Sequence, residues 1–191
     1  MARVVFVLVD ACRADVIGCF ARRDLGTPTL DRLAVQGVVF ANAVAQFPST
    51  RASVSFLFTG LYPTQHSLVD RLLETNDGPV PVAGLHEGVP TLAGILAGTG
   101  HVTAAFVAGN PNLKPVFGLT RGFGHVNYLP TTDGSVLVDR FAQFVEVGLP
   151  DNFFCYLHLC PGLRLSAPVG STVRIEGVTG RPRHELCGRP G

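Results

Sequence analysis

Two stretches of the sequence carry residue types suited to chemistry. The first is Asp10-Ala11-Cys12-Arg13-Ala14-Asp15, directly after an apolar run. A carboxylate at a strand's end is a hard oxygen ligand suited to Ca²⁺, Mg²⁺ or Mn²⁺, and it also serves Zn²⁺. On residue type alone Asp10 is equally well a solvated loop acid, and Arg13 with Asp15 fits a structural ion pair better than a chemical role. The second stretch is Phe47-Pro48-Ser49-Thr50-Arg51-Ala52-Ser53, which leads into the apolar segment ending at Gly60. A hydroxyl in the first turn of a helix faces unpaired backbone N–H groups and the positive end of the helix dipole, an environment that favours an alkoxide and a bound oxyanion. Thr50 is therefore a candidate metal-activated nucleophile. A motif of this kind, taken alone, more often marks an ordinary Ser/Thr cap.

The flanking elements must hold these residues at one edge. Arg3 to Val9 is an almost continuous β-branched run, the pattern of a central parallel strand buried on both faces, and it delivers Asp10 to the strand's carboxyl end, where open α/β sheets bind ligands. Thr27-Pro28-Thr29-Leu30 predicts a helix start with Gly37 as its stop, and Val38 to Ala45 predicts a second strand. Pro90 to Gly100 and Ser135 to Val147 have helical spacing, whereas His101 to Val107 and Phe153 to Leu159 have the composition of buried strands. Alternating strands and helices predict an α/β fold with a doubly wound, mostly parallel sheet. Residues 74–90 and 109–134, rich in Gly, Pro and Asn, predict long surface loops near the site. His158, inside an apolar strand, fits a hydrogen-bonded core histidine better than a ligand, and His66 is likewise taken as structural.

Composition narrows the field. With 47% hydrophobic and 15% charged residues in 191, the chain has the material for a substantial core. Its net charge of +1, without a run of Lys or Arg, leaves no electrostatic footprint for nucleic acid or anionic lipid. No stretch approaches the roughly 18 uncharged apolar residues of a membrane helix, and the N-terminus lacks a signal-peptide pattern, which points to a cytoplasmic protein. Five cysteines without metal-type spacing fit buried thiols. No Gly-rich phosphate loop follows the first strand, so a nucleotide-binding domain is disfavoured.

In order and spacing, the sequence resembles the N-terminal part of the sulfatase family of the alkaline phosphatase superfamily. The resemblance rests on Val4 to Asp10 with Arg13-Ala14-Asp15; Thr27-Pro28-Thr29-Leu30-Asp31-Arg32-Leu33; Thr50-Arg51-Ala52-Ser53; and Thr59-Gly60-Leu61-Tyr62-Pro63 with His66. It continues through Val89-Pro90-Thr91-Leu92, Thr103-Ala104-Ala105-Phe106 and Phe117-Gly118 with Arg121-Gly122-Phe123 to Tyr156-Leu157-His158. It implies an alkaline-phosphatase-like sheet, here incomplete, and a metal-dependent hydrolase of sulfate or phosphate esters acting on a small anionic ester. Counting back from Thr59 to the family's nucleophile position lands on Thr50, which the resemblance makes both nucleophile and metal ligand, with Asp10 a second ligand. Thr cannot mature to formylglycine as the Cys or Ser of sulfatases proper does, so the chain is closer to the Thr-using phosphoesterase branches, with Arg51 standing in for a displaced guanidinium. Where arylsulfatases carry Gly-Lys-x-His, this chain has Ala108-Gly109-Asn110-Pro111-Asn112, which leaves Asn110 and His158 as the candidate substrate-binding residues.

The likeness stops at Leu159. Residues 1–159 are expected to form the N-terminal portion of the hydrolase domain, and 160–191, heavy in Gly, Pro and Arg, an irregular, disordered tail. This is the pattern of a truncated or frameshifted product. With Asp10 and Thr50 as the only matched ligands, a divalent ion would be held weakly, and the expectation is an inactive hydrolase or a non-catalytic interaction protein on the same fold.

Overall fold

The computed structural model describes residues 2–21, 26–66, 68, 72–75, 78–81, 84–130 and 133–160. They form two compact units, residues 2–11 with 44–160, and residues 12–43. The expected tail after Cys160 lies outside the described residues.

The larger unit is built on a four-stranded parallel sheet. Its strands are β1 (Arg3–Val9), β4 (Val102–Ala108), β5 (His125–Leu129) and β6 (Phe153–Leu159), in the spatial order β1-β6-β4-β5. Between β1 and β4 the chain forms α3 (Thr50–Thr59), α4 (Pro63–His66), an antiparallel pair β2 (Leu72–Thr75) and β3 (Gly78–Pro81), and α5 (Leu92–Gly98). The helix α6 (Gly134–Glu146) connects β5 to β6. The smaller unit holds α1 (Gly18–Ala21) and α2 (Pro28–Gln36), the latter carrying Pro in its first turn and ending at Gly37, whose N–H bonds Leu33 O. Thr27 caps nothing there; its hydroxyl instead accepts from the Gly18 N–H and donates to Asp31.

Burial on both faces of the sheet follows from strand period. Ala105, Val107, Phe154 and Tyr156 point to one face and pack with Val54 and Phe58 of α3 and Ala93 of α5. Ala104, Phe106, Cys155 and Leu157 point to the other and pack with Leu137 of α6. Helices therefore cover both faces, as a doubly wound sheet requires. Asp133 starts α6 by accepting from the Ser135 N–H at 2.9 Å, and Thr91 starts α5 by accepting from the Gly94 N–H at 3.1 Å. Among the described residues no helix is long and apolar enough to cross a membrane.

Four expectations change. Among the described residues β1 is an edge strand, not a central one: it pairs there with β6 alone, and Val4, Val5, Val7 and Val9 are each about two-fifths exposed while Phe6 and Leu8 pack inward. A continuous apolar run reports the character of both faces but not the number of neighbours. Residues 38–45 form no strand; Val38, Phe40 and Val44 stay exposed, because β-propensity yields a strand only where a partner edge is offered. The stretches 74–90 and 109–134 are not wholly loop, for the first contains β3 and the end of β2 and the second contains β5. Of the four described cysteines, only Cys155 is fully buried; Cys12 is exposed, and Cys19 and Cys160 are half-buried, all as free thiols.

Candidate functional site

Register places the site. In the parallel β1–β6 pair Phe6 lies beside Tyr156 and Leu8 beside His158. Side chains alternate along a strand, so Phe6, Leu8 and Asp10 share one face with Tyr156 and His158. The ladder runs one step past β1, with the Asp10 N–H bonding Leu159 O at 2.8 Å, and Ala11 then turns the chain away at φ +56°. β4 ends at Ala108, and a one-turn helix at Pro111–Leu113 begins immediately after Asn110. α3 begins at Thr50 after an extended Ser49. Four elements thus bring one side chain each to the carboxyl edge of the sheet, the location at which open α/β sheets bind ligands.

The contacts converge on one carboxylate oxygen. Thr50 Oγ1 donates to Asp10 Oδ2 at 2.9 Å, and Asn110 Nδ2 donates to the same atom at 2.8 Å. His158 Nε2 lies 3.4 Å from it and 3.1 Å from Asn110 Nδ2, and the other imidazole nitrogen, Nδ1, is 2.8 Å from Tyr156 Oη. The Asn110 amide has a fixed orientation, because its Oδ1 accepts from the Asn112 N–H at 3.0 Å. Tyr128 Oη adds a bond to the Asn110 carbonyl at 3.1 Å. Asn110, Tyr156 and His158 are buried, at 4%, 1% and 0% exposure, whereas the Asp10 side chain keeps 22% and Thr50 is half-buried, so these two are the parts of the network that meet solvent.

These donors hold the Asp10 carboxyl below the ordinary carboxylate range. The His158 contact is the largest cause; burial acts against it, and the Thr50 bond and the Ala11 backbone act with it. Burial, reinforced by the negative charge of Asp10, pushes the Tyr156 phenol strongly upward, so it remains an O–H. The Cys155 thiol is pushed up to about 11 by burial alone and is inert.

The sequence-predicted residues are placed as follows. Asp10, Thr50, Asn110 and His158 are brought together. Arg51, beside Thr50, is buried, with its guanidinium carbon 3.8 Å from the centroid of the Phe117 ring. Arg13 and Asp15 pair with each other on the surface at 2.6 Å. His66 is structural, with Nδ1 accepting from the Leu68 N–H at 3.0 Å. Tyr156 is the member that sequence reasoning missed. The available signal was its spacing, two residues before His158 on the same strand face.

A divalent cation needs several lone pairs aimed at one point. Among the described residues no three of His, Cys, Asp and Glu do this. Asn110 turns N–H, not carbonyl, toward Asp10, and Asp10 Oδ2 already accepts two hydrogen bonds. The described donor set does not fit a metal ion.

Comparison with known proteins agrees with this architecture. The sulfatase family model matches residues 2–159. The chain is 27% identical over 144 residues to the Delta 4,5-hexuronate-2-O-sulfatase of Bacteroides thetaiotaomicron, covering 74% of this chain and 28% of that protein. Among solved structures it superposes on a 2-O GAG sulfatase with a TM-score of 0.66 at 22% identity, covering 83% of this chain and 34% of the other. It superposes on the phosphonate monoester hydrolase of Agrobacterium radiobacter with a TM-score of 0.60 at 17% identity, covering 83% and 40%. The chain therefore spans between about a quarter and two-fifths of the length of these relatives. The fold is that of alkaline-phosphatase-like sulfatases, and on a family match covering most of its length, this chain belongs to the sulfatase family.

Proposed function

We propose that the chain carries the nucleophile side of a sulfate- or phosphate-ester hydrolase site, with Thr50 as the attacking hydroxyl. The observation that carries this reading is the 2.9 Å bond from Thr50 Oγ1 to Asp10 Oδ2 at the first residue of α3. A tetrahedral anion beside Thr50 meets the positive end of a ten-residue helix, which favours its charge. Asp10, kept ionised by its donors, orients the Thr50 hydroxyl and accepts its proton as Oγ1 bonds to sulfur or phosphorus and the ester oxygen leaves. Asn110 and His158 hold the Asp10 carboxylate in place beside the ester.

The sulfatase family generally uses a divalent metal ion. Because the described donors do not fit one, no step here depends on it, and a chain restricted to these groups is a slow catalyst. The test is covalent transfer. Purified chain is incubated with an aryl sulfate or an aryl phosphate, with and without Mg²⁺, Ca²⁺, Mn²⁺ or Zn²⁺, and digested for mass spectrometry. The expected result is sulfated or phosphorylated Thr50 with one of the esters, lost in Thr50→Ala and reduced in Asp10→Asn. An adduct that survives Thr50→Ala, or none with either ester, overturns the assignment of the nucleophile.

A further inference from the structure

We infer that Tyr156 is a positioning residue that fixes His158 in one tautomer, with the Nε2 hydrogen turned toward Asp10. Its meaning for catalysis rests on the assignment of Asp10 and Thr50 above; the tautomer itself does not. Tyr156 is 1% exposed, and its ring meets those of Phe6, Phe58 and Phe123, which offer no acceptor. Among the described residues the polar atom within hydrogen-bond distance of its hydroxyl is His158 Nδ1, at 2.8 Å. If Nδ1 carried a hydrogen it would occupy the phenol oxygen and leave the phenol proton buried without an acceptor, an arrangement folded proteins avoid. The phenol O–H therefore donates to Nδ1, and in the neutral ring the hydrogen sits on Nε2.

Nε2 lies 3.4 Å from Asp10 Oδ2 and 3.1 Å from Asn110 Nδ2. Asn110 cannot turn its carbonyl toward the imidazole, because that oxygen is bound by the Asn112 N–H. Both nitrogens are then donors sharing one carboxylate oxygen, which also receives the Thr50 hydroxyl. Tyr156 so sets, from inside the core, which side of the imidazole the carboxylate meets. A misplaced hydrogen would present a lone pair to Asp10 and repel it from the position in which it receives Thr50. The competing arrangement, in which Asn110 donates to Nε2 and Nδ1 carries the hydrogen, is the alternative outcome of the test.

The experiment uses the full chain with ¹⁵N-labelled histidine at about pH 8, above the ordinary histidine pKa of about 6.5. Long-range ¹H–¹⁵N correlation separates the two tautomers, and His158→Gln assigns the signals. His158 is expected in the Nε2–H form, with Nδ1 shifted as a hydrogen-bonded acceptor. In Tyr156→Phe, which keeps the ring packing, the Nδ1 signal is expected to move to that of an unbonded nitrogen. An Nδ1–H signal in the unmodified chain overturns the inference, as does an unmoved Nδ1 signal in a folded Tyr156→Phe. The first result needs no variant, so the inference stays decidable even if Tyr156→Phe fails to fold. A missing Thr50 adduct with the expected His158 spectrum would count against the hydrolase reading alone.

Discussion

Replacing Asp10 by alanine separates two accounts of why this carboxylate is present. In the network described above, Asp10 Oδ2 is the acceptor for two buried or half-buried donors and faces a third group, His158. Alanine leaves Asn110 Nδ2 and His158 Nε2, on residues 4% and 0% exposed, without that acceptor. Each stranded buried donor costs about 1 to 3 kcal/mol, whereas the Thr50 hydroxyl, nearer the surface, turns to water at little cost. Removing a partly desolvated charge returns some of this, so the expected net loss is about 1 to 3 kcal/mol. Asp10→Asn retains an acceptor and should lose about 1 kcal/mol, the difference between charge-assisted and neutral hydrogen bonds. The assay is urea denaturation followed by far-UV circular dichroism, with stability compared at unchanged slope. Each kcal/mol also lowers the thermal midpoint by about 2 to 4 °C for a chain of this size. An Asp10→Ala variant as stable as the parent, or more stable, would show that these hydrogen bonds do not stabilise the fold. It would mean that the carboxylate is held against its own desolvation, as expected of an acid kept for a cation, and that the hydrogen bonds around it are a secondary accommodation.

Three further outcomes are expected. In steady state the isolated chain should turn over aryl sulfate and aryl phosphate at close to the background rate, since each missing electrostatic partner costs a factor of about 10² to 10³; metal-dependent turnover abolished by Thr50→Ala and Asp10→Ala would contradict this. Gly122→Ala should destabilise by about 1 to 3 kcal/mol from strain at φ +89° and by a similar amount from displaced backbone, because a Cβ there would meet the α5 backbone around Gly94 closer than any real contact; an unchanged melting temperature would count against that packing. Burial holds the His66 imidazole below its ordinary pKa, with the Ala52 carbonyl partly opposing, so its contribution to stability is complete above about 6.5 and falls as pH drops through the folded value. Urea midpoints measured across that window should decline in the parent and flatten in His66→Gln.

Much of the site was legible because it depends on local patterns. The β-branched run that ends at Asp10, the Ser-Thr start of α3 and the apolar strand carrying His158 are all written within a few residues of sequence. The pairing order is not, because it depends on partners far along the chain. That is why β1 was expected at the centre and lies at the edge, and why the exposed segment around Phe40 was expected to form a strand. β5 was missed because His125-Val126-Asn127-Tyr128-Leu129 is short and flanked by Gly124 and Pro130, which mark a loop in the absence of the β4 edge that recruits it. The role of Tyr156 was hidden for a different reason: its spacing to His158 is visible, but a shared face becomes a hydrogen bond only when Phe6, Phe58 and Phe123 enclose it.

The edge position of β1 bears on how steadily the Asp10 carboxylate is held. A strand paired on one side sends only alternate amides into a ladder, and the remaining ones exchange with solvent and offer themselves to other chains. Beyond the ladder, β1 is braced at its two ends, by the Phe153 N–H to Ala2 O bond at 3.0 Å and the Asp10 N–H to Leu159 O bond at 2.8 Å. Asp10 is thus mounted on one of those end braces. Fraying of that strand terminus, once the side-chain bonds to Asp10 Oδ2 open as well, would carry the acid away from His158, Asn110 and Thr50 together while the core stays folded.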